Sequence, residues 1–296
     1  LTDCIIDELR ILLQISSKRE HFEHRTAMEG SPYLTAHDSL PARKSGPWAK
    51  RKHHYLRNYC GITTVSMRNR FKLVYLDVMA GPGLCKMEET GEEFAGSPFV
   101  ALDYDFSEYI LIEEDPNLAE ALRQRVSKHP KARRTQIIQE NWGHVVESGR
   151  LRFDSSTLVV AFVDPTGVSQ IPIAAMRKLA ANPKIDLLVT IQHRLGIVWN
   201  EPQYRRSADG QPALDAFLGS PEWRAWETKD ATTFGQRAVE SFCRRLEEEG
   251  FIATRHISVP EENPLYRFTL FSRHPRGEDF WLKILKTDEK GQRELL

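Results

Sequence analysis

Four groups of chemically capable residues stand directly after apolar, β-prone runs. The first is Asp77-Val-Met-Ala80-Gly81-Pro82-Gly83, which follows Leu73-Val-Tyr-Leu76. Gly81 and Gly83 carry no Cβ to hold a ligand away from the backbone, and a strand ending in Asp-x-x-x-Gly-x-Gly commonly opens a nucleoside-binding α/β unit. Alone, the same pattern is that of a tight turn. The second group is Glu113, after Tyr109-Ile-Leu-Ile112, a carboxylate able to accept both hydroxyl protons of a ribose. Glu114 and Asp115 compete for that role, but Asp115 before Pro116 reads better as a helix cap. The third is Glu140-Asn141-Trp142, an acid or amide for an adenine amino group beside an indole that covers the ring or belongs to the core. The fourth, Phe162-Val-Asp164-Pro165-Thr166-Gly167, sets a carboxylate and a proline carbonyl at an acceptor position, or is simply a turn.

The dinucleotide fingerprint wants a third glycine at a helix start. Here Leu84, Cys85 and Lys86 follow Gly83, and the next helix signal is Ser97-Pro98. A pyrophosphate held at a helix N-terminus is therefore not expected. S-adenosylmethionine, which has none, suits the departure better. The expected cofactor-binding residues are Asp77, Ala80, Gly81, Pro82, Gly83, Glu113, Glu140 and Asn141. The implied chemistry is methyl transfer to a nucleophile near Asp164. If the acceptor is an exocyclic amine, Asp164 and the Pro165 carbonyl hold its protons, and Phe162, Trp142 or Trp199 must supply a stacking face. Thr166, Gln192, His193 and Arg194 are the expected acceptor-side residues, with His193 either a base or a solvent-facing histidine.

These residues need a sheet to bring them together, and the sequence supplies one. Strands are expected up to about Val78 and over 108–113, 135–139, 158–163 and 185–191. Helices between them begin at Ser97-Pro98, with Ser97 as cap, at Asp115-Pro116 and at Ile171-Pro172. Residues 192–230 break the alternation and read as an insertion or cap. A helix over 234–249, closed by Gly250, precedes two strands at 251–259 and 266–273. The fold class is thus α/β: a Rossmann-like, mostly parallel sheet of class I methyltransferase type with an antiparallel last strand. Before it, Ile5, Ile6, Leu9, Leu12 and Leu13 mark an amphipathic helix over 3–15. Glycines and prolines make 30–47 a linker, and Trp48–Tyr59 can be helical. The domain division is 1–47 and 48–296. Loop 86–96 is either a lid or a flexible insertion.

Lys plus Arg equal Asp plus Glu at 41 each, so overall charge names no partner. The distribution is uneven: from Pro41 to Lys72 there is no acid, but many cations, Lys50 and Lys52 among them. A nucleic-acid phosphate surface and a solvated helix face both fit such a block. Cys4, Cys60, Cys85 and Cys243 are too scattered for a zinc site or a disulfide framework, and reduced thiols of a cytoplasmic protein fit them. No apolar run has the roughly 20 residues of a membrane span, and early charges are unlike a signal peptide.

Trp48-Ala-Lys50-Arg-Lys-His-His-Tyr-Leu56, Tyr75-to-Gly83, Gly96-Ser-Pro98, Tyr109-to-Glu113, Phe162-to-Gly167, Leu214-to-Trp223 and the strand from Tyr266 to His274 together resemble the three-Cys-motif partner proteins, over roughly Trp48 to Trp281. The resemblance implies an S-adenosylmethionine-dependent methyltransferase paired with a radical-type protein bearing three cysteines. It leaves the substrate open: a nucleic-acid amine, a small molecule or a peptide, or no substrate if the chain only binds the cofactor. The sequence departs from the family at Val78-Met79, commonly a small-aromatic pair, and at Thr166, commonly an aromatic.

Overall fold

The computed structural model describes residues 32–206, 213–253, 256–259 and 264–286; the helix expected over 3–15 lies outside them. The described chain opens with two short strands, β1 (Tyr33–Thr35) and β2 (Pro41–Ser45), and a long helix, α1 (Pro47–Met67). Then come β3 (Lys72–Asp77), the hairpin strands β4 (Leu84–Met87) and β5 (Glu93–Ala95), and α2 (Ser97–Leu102). Strict alternation follows: β6 (Glu108–Ile112), α3 (Pro116–Ser127), β7 (Thr135–Ile138), α4 (Trp142–Glu147), β8 (Thr157–Val163), α5 (Ile173–Ala180) and β9 (Ile185–Ile191). Three more helices, α6 (Glu201–Arg206), α7 (Ala213–Leu218) and α8 (Ala231–Glu247), lead to β10 (Ile252–Ala253), β11 (Ile257–Val259), β12 (Tyr266–Ser272) and α9 (Pro275–Leu285).

The main sheet runs β10-β12-β9-β8-β3-β6-β7, with β11 also pairing with β12. From β7 to β9 every pairing is parallel, and β12 lies antiparallel to β9. The chain moves outward from β3 through β6 to β7, then returns to β8 on the other side. This reversal opens a crevice beyond the carboxyl ends of β3 and β8, where such sheets take ligands. The architecture is the one read from the sequence: α/β, mostly parallel, with a reversed last strand.

Side-chain parity in β3 assigns the two faces. Val74 and Leu76 join the core under α4, α5 and α8, while Leu73 and Tyr75 join the core under α1, α2 and α9. Parity also carries Asp77 to the side of Tyr75. Segment 192–230 is no detached cap. Leu214, Phe217 and Trp223 are fully buried and continue the first core, and Phe217 stacks on Phe242 of α8 at 4.3 Å between centroids, worth roughly 1 kcal/mol beyond burial.

Within the range read as a linker, Tyr33–Thr35 and Pro41–Ser45 are strands. β2 pairs in parallel with β4, and β1-β2-β4-β5 form a second sheet. Segment 86–96, expected as a lid or loose loop, is largely the β4-β5 hairpin of that sheet. One guanidinium helps fasten the β1-β2 end of this sheet to the main domain. Arg125 of α3, only 8% exposed, grips both oxygens of Asp38 at 2.8 Å and also donates to the Pro41 and Pro82 carbonyls. The pairing with Arg125 pulls the Asp38 carboxyl down to about 2. Helix α9, absent from the sequence reading, packs Phe280, Trp281 and Ile284 into the second core.

Candidate active site

Beyond β3 the chain turns through Gly81 and Gly83, both at positive φ (62° and 82°). Their roles differ. A Cβ on Gly81 would meet nothing within 4 Å, so this residue leaves space open at the crevice. A Cβ on Gly83 would stand 2.7 Å from Phe99 and 2.9 Å from Leu122, so its missing side chain serves packing. Ala80 is fixed by its amide to the Ile112 carbonyl at 2.8 Å, and the Pro82 carbonyl accepts from Arg125 at 2.6 Å.

Glu113 stands one residue past β6 and faces the same loop. Its Oε2 accepts from the Gly81 amide at 2.8 Å and its Oε1 from the Asp115 amide at 2.9 Å. Each oxygen keeps a lone pair for a further donor. Burial pushes the Glu113 carboxyl up, against the two amides that favour its charge. Asp115 caps α3 through the Asn117 and Leu118 amides, as read from the sequence.

Two adjoining pockets occupy the crevice and share Arg43, Met79 and Asp164. The larger, of about 340 Å³, is lined by Glu113, Glu114, Glu140, Asn141, Trp142 and Tyr33 among others. Asn141 caps α4 through its side-chain oxygen and donates to Glu114 at 3.1 Å, and Glu140 pairs with Arg150. The smaller, of about 150 Å³, is lined by the Gly81 loop, Lys52, His53, Asp164, Pro165 and Gln192.

Lys52 is the largest revision. Expected at a phosphate surface, it is 7% exposed, and its Nζ lies 2.5 and 2.6 Å from the two oxygens of Asp164. Its ammonium also stands 5.0 Å from the Tyr266 ring centroid. Burial by itself would raise the Asp164 carboxyl, but Lys52 and Arg43 outweigh it and hold the group below its ordinary range. Both oxygens expected to hold acceptor protons are thus met by Lys52. The Pro165 carbonyl likewise already accepts from Gln192 Nε2 at 2.8 Å.

Other expected residues are elsewhere. Asp77 is fully buried and lines neither pocket. It receives the Tyr75 hydroxyl at 3.1 Å and the Met79 amide at 3.3 Å, and burial pushes its carboxyl up to about 7. It braces the glycine loop from beneath. Ser97 is not the cap of α2, a position taken by Gly96. His193 packs against α8 rather than lining the crevice: a Cβ on Gly235 would come 3.0 Å from its Nε2. Arg194 lines neither pocket and stacks toward Trp199. Thr166 is exposed at the edge of the larger pocket, its amide and hydroxyl both donating to Gln170 Oε1. Of the three stacking candidates, Phe162 is fully buried and Trp142 is 5% exposed, donating to the Gln170 carbonyl; Trp199 is 43% exposed.

The basic block is dispersed. Lys44 pairs with Glu88 at 2.5 Å, Lys50 with Glu92 at 2.7 Å, and Lys72, at the far end of β3, with Glu108 at 2.7 Å. Two site residues escaped the sequence reading. Arg43 lines both pockets, and His53, 7% exposed, has an Nδ1 with no hydrogen-bond partner among the described residues. Burial pulls His53 down to about 4, which leaves a neutral imidazole near pH 7. In sequence Arg43 was marked only as a member of the cationic run, and His53 only by its place beside it.

Among the described residues no cluster of His, Cys, Asp or Glu could hold a metal ion, and no helix is long and apolar enough to cross a membrane. Cys60, Cys85 and Cys243 are buried free thiols. No protein-family model matches the chain, and no curated protein matches it. Solved structures do. A protein from Legionella pneumophila, LPL1258, is similar at 12% identity over 83% of this chain and 93% of its own, with a TM-score of 0.49. Cofactor-bound Rv0187 from MTB is 13% identical over 79% and 84%, at 0.44. The O-methyltransferase TomG from Streptomyces achromogenes, in complex with SAM, is 15% identical over 79% and 83%, at 0.42.

Proposed function

We propose that the chain is an S-adenosylmethionine-dependent methyltransferase. The observation that carries this reading is the juxtaposition of two receptors in one crevice. Glu113, oriented by the Gly81 amide, offers a carboxylate to vicinal hydroxyls. The Lys52–Asp164 pair offers a cation and an anion side by side, which matches the zwitterionic amino-acid head of that cofactor. In this reading Lys52 takes the carboxylate of the head and Asp164 its ammonium, with Arg43 a second cation between the receptors. Opposite charges exchange partners, so neither buried ion is left uncompensated. Asn141, Glu114 and Trp142 line the pocket left for the adenine.

When bound, the group supplies an electrophilic methyl on a sulfonium. The protein's part is positioning and exclusion of water, and a near-attack separation of about 3–3.5 Å is the requirement it must meet. The amino-acid head and the acceptor meet at the smaller pocket, where Gln192 fixes the Pro165 carbonyl and the unpartnered His53 Nδ1 can accept a hydrogen bond from an acceptor O–H or N–H. The scatter of the basic block, with Lys52 buried and Lys44, Lys50 and Lys72 paired to acids, supports a small-molecule acceptor over a nucleic acid.

Transfer from methyl-labelled S-adenosylmethionine into the small-molecule fraction of a cell extract is the test. Label appearing in nucleic acid instead would overturn the acceptor class. Binding without transfer into any fraction would support a non-catalytic, cofactor-binding partner of the radical-type protein implied by the resemblance. The exposed Thr166 in the aromatic position already favours that second reading.

A further inference from the structure

At the opposite, amino-terminal end of the strands lies a third pocket of about 370 Å³, between the last turns of α1, the first turn of α9 and the beginnings of β8 and β9. Its walls are apolar: Met67, Phe71, Leu158, Ile185 and Phe280. Its floor is not. Asp186, 8% exposed, accepts from the Tyr59 hydroxyl at 2.7 Å and meets the Ser272 hydroxyl, and burial pushes its carboxyl up. Thr63, 1% exposed, also lines this pocket, and its Oγ1 has no hydrogen-bond partner among the described residues. Buried polar atoms are normally satisfied, so an orphaned hydroxyl lining the same pocket as a buried carboxyl marks a place where a partner is missing.

The mouth has the opposite character. Arg70, Lys184, Arg273, His274 and Arg276 line it, and Asp186 is the only acid among the lining residues. Arg273 is consumed by the Ala180, Asn182 and Glu249 carbonyls, Lys184 by the Ser155 carbonyl, and His274 caps α9. Arg70 and Arg276 donate to no side chain among the described residues, and such guanidinium groups bind carboxylates bidentately.

We propose that this pocket is a second ligand site, independent of the methyl-transfer reading, for a small aryl carboxylate that bears an amino or hydroxyl group at its far end. The carboxylate lies on Arg70 and Arg276, the ring against Phe71 and Phe280, and the donor on Asp186 and Thr63. Apolar walls with a few convergent polar groups are the usual makeup of such sites.

The test is calorimetry on the full chain with 4-aminobenzoate and the longer 4-aminocinnamate, each against its parent without the amine. Saturable binding with the amine favoured about tenfold is expected. Arg276→Ala should weaken both members of a pair by about tenfold or more, and Thr63→Val should abolish the amine's advantage while leaving the parent unchanged. Thermal melts would verify that both variants fold, and neither side chain hydrogen-bonds to Asp186 or Tyr59 among the described residues. Absence of saturable heat from all four compounds would overturn the proposal. So would binding indifferent to both substitutions, or displacement by S-adenosylhomocysteine, which would move the ligand to the other crevice.

Discussion

Lys52→Met is the most discriminating perturbation of the candidate site, because it separates a receptor for a zwitterion from a merely structural ion pair. Lys52 contacts both Asp164 oxygens, and the two side chains keep only 9% and 16% exposure. Removing one partner of a fully buried pair costs about 3–5 kcal/mol, and the residual exposure here puts the expected loss near the lower figure. The ligand effect is separate. A hydrogen-bonded charge contact is worth about 1.5–3 kcal/mol, so loss of the cation facing the amino-acid head should weaken S-adenosylhomocysteine roughly 10- to 150-fold. 5′-Methylthioadenosine carries the same nucleoside and thioether without the head, and its affinity should change less than about threefold. Calorimetry with both compounds reads the difference. The double variant Lys52→Met/Asp164→Leu should recover much of the lost stability, since an apolar replacement of both ions is often neutral, yet remain deficient for S-adenosylhomocysteine alone. Equal losses for the two nucleosides, or full affinity for S-adenosylhomocysteine in Lys52→Met, would refute the assignment.

Four further outcomes follow from the same geometry. Gly81→Val puts a side chain into open crevice at φ 62° and should abolish S-adenosylhomocysteine binding in calorimetry, with strain of only about 1–2 kcal/mol; normal affinity would contradict the site. Gly83→Ala, aimed at Phe99 and Leu122, should instead lower the melting temperature more than it affects ligand affinity. Asp77 has a folded pKa of about 7 against an ordinary 3.8, so ionising it in the fold costs stability as pH rises between those values; Asp77→Asn should gain on the wild type in melts from pH 5 to 8, and a difference constant with pH would argue against a buried, proton-retaining carboxyl. Arg125→Met strands a buried Pro82 carbonyl and unpairs Asp38, and should expose 36–45 to limited proteolysis while costing on the order of 3 kcal/mol in denaturant titrations.

The sheet was legible because apolar runs between proline- and glycine-marked turns fix strands wherever both faces are covered, as for Ile185–Ile191, every residue of which is buried. The placement of Glu113 and Gly81 beyond the carboxyl ends of β6 and β3 was legible for the same reason: they follow such runs by one and four residues. Asp77 was over-read. Its parity with Tyr75 was available in the sequence and turns it to the α1 side, beneath the loop. The second sheet was hidden because Pro41-Ala-Arg-Lys-Ser45 has neither apolar alternation nor β-branching; pairing with β4 and the Arg125 clamp make it a strand, and both are long-range.

The least legible feature is the one the proposed function depends on most. A lysine in a run of cations reads as solvated, since charge density along the chain is the only signal available. Yet Lys52 lies 112 residues from Asp164, and only the packing of α1 across the carboxyl end of β8 brings them together. Burial then reverses the meaning of the charge. In solution an ammonium on that helix would bind any anion weakly; held against a carboxylate in a pocket lined by the Gly81 loop, it can be released only to a ligand that replaces both charges at once. On the proposed reading, selectivity for a zwitterion over a simple anion follows from desolvation, and high salt should weaken S-adenosylhomocysteine binding far less than it would weaken a surface phosphate contact.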